Sequence, residues 1–96
     1  MAYDSGLGSV SRGRVMQEAE IKRIIESSFQ PYHCGVEFLP LNDTQKIWVG
    51  IRVSNEDDSL IFQAQSGMKA VREDLDQHIT WWREGATNKG FKLDPL

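Results

Sequence analysis

One cysteine, Cys34, leaves this chain without the means for an internal disulfide framework. No apolar run approaches the ~18 residues of a membrane span. The N-terminus lacks the continuous apolar core of a secretory signal. A reducing cytoplasm is therefore the expected home, with no membrane contact. Positive charge is also short: the formal net charge is −3, which gives no general attraction to nucleic acid or to an anionic membrane. Residues 16–85 carry seven Lys/Arg against twelve Asp/Glu, so the expected folded part is the acidic part. No G-x-x-x-x-G-K-[ST], G-x-G-x-x-G or G-x-S-x-G pattern occurs. Two histidines and one cysteine have no C-x-x-C or H-x-x-x-H spacing, so no metal and no cofactor is expected. No catalytic constellation is visible, and the expectation is that the protein is not an enzyme.

What is present is a frame. Ile21, Ile24, Ile25 and Phe29 fall on one helical stripe, and Pro31 stops it, which predicts a helix over about Met16–Phe29. Cys34, Val36 and Phe38 then repeat every second residue, predicting a strand over about Cys34–Leu39. Pro40–Thr44 reads as a turn. Ile47, Val49, Ile51 and Val53 alternate with Trp48, Gly50 and Arg52, the strongest strand signal in the chain. After the acidic turn Ser54–Ser59, a third strand is predicted over Leu60–Gln65. A second helix is predicted from about Ser66–Gly67, with Ser66 as N-cap, to Gly85 as the residue after its end. Its stripe would be Met68, Val71, Leu75, His78, Ile79 and Trp82.

The order α-β-β-β-α, with one apolar face per element, predicts a two-layer α+β sandwich. It would be a three-stranded antiparallel meander with both helices on one face. Residues 1–15 read as a flexible Gly/Ser-rich arm, 16–85 as the single domain, and 86–96 as a tail that Phe91 and Leu93 either pin or leave to fray.

The side chains that could carry chemistry mostly have a plainer reading. Cys34 shares strand parity with Val36 and Phe38 and reads as a small core residue. His33, next to it, points to the opposite face, so the two do not meet. His78 reads as a satisfied histidine on the apolar stripe of the second helix. Asn55–Asp58 lacks the ligand spacing and glycine of a calcium loop, and reads as a solvated turn. The tryptophans are the better lead. Trp48 is on the outer parity of the second strand and Ile61 on that of the third, so the two could form an apolar patch on the open face of the sheet. Trp81 points away from Trp82 and hence away from the core. Trp48, Ile61 and Trp81 are the expected partner-binding residues, unless the arm, the tail or cross-strand neighbours cover them. The partner would be another protein or a second copy of the chain.

Two resemblances bear on this frame. The segment Ile24-Ile-Glu-Ser-Ser-Phe-Gln-Pro31, followed by Cys34, resembles a family of short bacterial proteins common in pseudomonads, domain of unknown function 1652. In that family a helix ending I-I-E-S-x-F-x-P leads through a cysteine-bearing strand to a meander and a last helix. The resemblance covers about Ile21 to Arg83 and is specific only in its first part. It implies the element order and no activity, cofactor or site residue. The same order is similar to that of the double-stranded RNA-binding domain, which reads A-form RNA partly through basic residues opening its last helix. Here that place reads Ser66-Gly-Met-Lys-Ala-Val-Arg72, where only Lys69 and Arg72 are basic and Glu73, Asp74 and Asp76 follow. Those two residues are the RNA contacts that resemblance implies. An acidic body opposes phosphate binding, so nucleic acid is not the expected partner.

Overall fold

A computed structural model describes residues 15–40 and 46–96. The expected arm, apart from Val15, and the expected turn after Pro40 lie outside the described residues.

The elements follow in the order α1 (Glu18–Ser28), β1 (His33–Pro40), β2 (Lys46–Ser54), β3 (Ile61–Lys69) and α2 (Arg72–Lys89). The three strands form one antiparallel sheet in the order β1-β2-β3. Both helices lie on the same side, α1 against β1 and α2 against β3. This is the α+β sandwich that the periodicities predict.

Residue spacing explains the layers. Ile47, Val49, Ile51 and Val53 alternate along β2 and are all buried. The register sets Phe38, Val36 and Cys34 of β1 beside Val49, Ile51 and Val53, and Phe62, Ala64 and Met68 of β3 beside Val53, Ile51 and Ile47. One sheet face is thus apolar except for Ser66, which pairs with Val49. Ile21, Ile25 and Phe29 close over it from α1, and Leu75, Ile79, Trp82 and Ala86 from α2. Fully burying each of the larger side chains stabilises by roughly 1.5–3 kcal/mol.

The structure corrects the boundary between the third strand and the second helix. Ser66, Gly67, Met68 and Lys69 do not open the helix; they continue β3 and pair with Val49, Trp48, Ile47 and Lys46. The nine-residue β2 needs partners along its whole length, and Met68 is 3% exposed beside Ile47. The helix begins only at Arg72, with Val71 as its extended N-cap residue and no side-chain cap.

The helix also runs past Gly85. Phe62 packs there so closely that a Cβ on Gly85 would stand 2.9 Å from the ring. Glycine is present for space, not for termination. The chain turns at Gly90 instead, where φ is 120°, a region unfavourable to side-chain-bearing residues. No domain boundary falls at residue 85. Phe91 is 2% exposed and meets the Tyr32 ring edge-on at 4.8 Å. The Asp94 N–H donates to the Gln30 carbonyl and the Lys92 N–H to the Tyr32 hydroxyl. The Arg83 guanidinium donates to the carbonyls of Ser28 and Asp94. The segment is pinned, and Arg83 fastens it to the end of α1.

Candidate functional site

The reverse side of the sheet carries the surface of interest. Alternation sends His33, Gly35, Glu37 and Leu39 of β1 to that side, with Lys46, Trp48, Gly50 and Arg52 of β2 and Gln63, Gln65, Gly67 and Lys69 of β3. No described element covers it. Trp48 sits between Leu39 and Gly67 in the register, and Leu39 is 59% exposed. The indole leans along its own strand over Gly50, where a Cβ would come within 2.9 Å of it. Glycine at 50 is what lets the ring lie down, half-buried. Beside it opens a shallow hollow of about 550 Å³ bordered by Glu37, Trp48, Gly50, Arg52, Gln63 and Gln65. The surface therefore combines an apolar end with a floor of amides and two opposite charges.

The register separates two residues the sequence reading had joined. Ile61 pairs with Ser54, whereas Trp48 pairs with Gly67, six positions away along β2. At ~3.4 Å per residue that is about 20 Å. Trp48 and Ile61 share a face but not a patch; the apolar neighbour of Trp48 is Leu39. The cross-strand offset was not readable because the sequence does not fix which residue opposes which across an open turn. Trp81 lies on the helix layer, 55% exposed, and packs edge-on against His78 with ring centres 5.2 Å apart.

His78 is held at both nitrogens. Its Nδ1 lies 2.8 Å from the Asp74 carbonyl, which can only accept, so Nδ1 carries a proton. Nε2 lies 2.9 Å from the Ser66 Oγ, whose hydroxyl also donates to the Gly67 carbonyl at 3.2 Å. The pair ties α2 to β3. A hydroxyl beside an imidazole is also the start of a nucleophilic dyad, but neither Ser66 nor His78 lines the hollow beside Trp48 or the one beside the acidic turn. Cys34 is far from this pair: its register row is Val53 and Phe62, on the opposite edge and at the other end. Burial first, and the Glu26 carboxylate second, push its thiol up to about 12. That is the behaviour of a packed thiol, not a nucleophile.

The acidic turn closes on itself. The Asn55 carboxamide donates to the Ser59 hydroxyl and accepts the Leu60 N–H, and the Asp57 carboxylate accepts the Ser59 N–H. The Ser59 hydroxyl and amide hold the Asp57 carboxyl below its ordinary range. Among the described residues no group of three or more His, Cys, Asp and Glu is placed to hold a metal ion.

Lys69 and Arg72 do not form a basic cluster. The Arg72 guanidinium is 2.8 Å from the Asp76 carboxylate, and the Lys69 N–H donates to the Asp74 carboxylate. Among the described residues no helix is long and apolar enough to cross a membrane. Comparison with protein-family models, curated proteins and solved structures finds no significant match.

Proposed function

We propose that this is a small non-catalytic protein that acts by contact with another protein, through the Leu39–Trp48 end of its open sheet face. The observation that carries the reading is the exposed Leu39 set directly across from the half-buried Trp48 on a face that no described helix covers. Tryptophan at the centre of such a surface is a common energetic anchor. Glu37, Arg52, Lys46 and Lys69 surround it and supply the polar rim that fixes orientation. Three strands ~4.8 Å apart and eight or nine residues long offer a small contact area, which suits a transient complex. Cys34 and His78, the residues with the most chemistry, are both engaged in packing or hydrogen bonding, which supports a role without catalysis.

The test is quantitative capture. The full chain, Leu39→Ser and Trp48→Ala are immobilised and exposed to extract of the source organism, with circular dichroism showing that each is folded. Recovery of specific partners is expected to fall at least fourfold with either variant. Equal recovery from all three puts the contact elsewhere. The RNA-module reading has less support, because Arg72, one of its two cations, is paired with the Asp76 carboxylate. A duplex-RNA gel shift that weakens on Lys69→Ala and Arg72→Ala would replace the contact reading with it.

A further inference from the structure

The free edge of β3 is a second surface, distinct from the open face. Leu60 exchanges hydrogen bonds with Asn55 across the turn, its N–H with the side chain and its carbonyl with the backbone N–H. Alternate residues from Phe62 to Met68 therefore face β2 with both backbone groups. Gln63, Gln65 and Gly67 face away. The Lys69 N–H agrees, since it turns off the sheet to the Asp74 carboxylate. No described strand lies beyond β3.

The two edges of the sheet differ in protection. β1 carries Glu37 and ends on Pro40, which has no N–H to offer. β3 runs Ile61 to Met68 with neither charge nor proline. Edges left in that state pair with other strands. The charges lie only at the two ends. Glu56, Asp57 and Asp58 precede the strand, and Lys69 closes it, with no ion-pair partner among the described residues. Laid antiparallel, two copies of β3 set Lys69 of each beside the acidic turn of the other, twice by symmetry. Laid parallel, they set acid on acid. Two net-negative chains meet least repulsion along this uncharged strand.

We propose that two copies of this chain join antiparallel through β3, with the two-fold axis at Gln65, into one continuous six-stranded sheet. The residues next to the axis on the helix side are Ala64 and Ser66, both small. Trp81 is 55% exposed and stands on His78, which is bonded to Ser66 of this strand. Pairing buries its exposed ring against the neighbouring copy. The Leu39–Trp48 surface stays open, so each dimer displays it twice on the same side.

The experiment is sedimentation of the full chain over a concentration series, with Gln65→Lys, Gln65→Glu and their equimolar mixture. Position 65 is exposed, and residues opposed across the axis are ~5.5 Å apart at Cα. The wild-type chain is expected to dimerise. Each single variant is expected to weaken the dimer at least tenfold by like-charge opposition, and the mixture to restore it. Trp81→Ala, which leaves the strand intact, is expected to weaken dimerisation at least fivefold. A wild-type chain that stays monomeric overturns the proposal, whether residues 1–14 or a different protein is found on the edge. So does a dimer indifferent to Gln65→Lys, or a mixture no better than its components.

Discussion

Phe91 shows how much one ring can hold. It is 2% exposed, rests on Tyr32 and anchors a segment tied to α1 by Arg83. Phe91→Ala is expected to cost about 3–5 kcal/mol, read from denaturant unfolding. In a domain this small that is a large part of the total. The sequence left Phe91 with two readings because an isolated aromatic after a helix has no period to assign it. Cys34 was legible, since its parity with Val36 and Phe38 places it on the core face. Its raised pKa has a signed consequence. The fold holds the neutral thiol, so its contribution is whole below about pH 9, the unfolded value, and is lost as pH climbs towards about 12. Stability of the wild type relative to Cys34→Ala is therefore expected to decline across that window and to be flat below it. At pH 8 the folded thiol is expected to react with a disulfide reagent ~100-fold or more slowly than the unfolded chain.

At the scale of elements, β2 and α1 were legible because each keeps one period over its whole length. The junction of β3 and α2 was not. Met68, Val71 and Leu75 satisfy helical spacing, yet Phe62, Ala64 and Met68 satisfy strand spacing equally. Met68 belongs to both patterns, and the need of Ile47 for a cross-strand neighbour decides it. The open-strand reading has a test: amides of Phe62, Ala64, Ser66 and Met68 are expected to be protected in hydrogen exchange, while those of Gln63, Gln65 and Gly67 exchange quickly in the monomeric Gln65→Lys variant. A helix over these residues would protect all of them in succession. At the other end, the helix stop expected at Gly85 falls at Gly90, because a positive φ is not written in composition. Gly90→Ala is expected to cost about 1–2 kcal/mol, from backbone strain at φ 120°.

For the whole molecule, the determining feature is one-sidedness. Two helices cover one face of three strands, and the other face carries a leucine, a tryptophan and a ring of charges. That arrangement was legible from the alternation in β2, whereas the neighbour of Trp48 was not, because it depends on register. The candidate surface is therefore half sequence, in Trp48, and half topology, in Leu39. The most direct test is site-specific crosslinking in the source organism, with a photoreactive phenylalanine analogue at Leu39 and, as reference, at Lys22 on the outer side of α1. The expected result is one specific protein adduct from position 39 and none from position 22. No adduct from position 39, or the same adducts from both, would contradict the account.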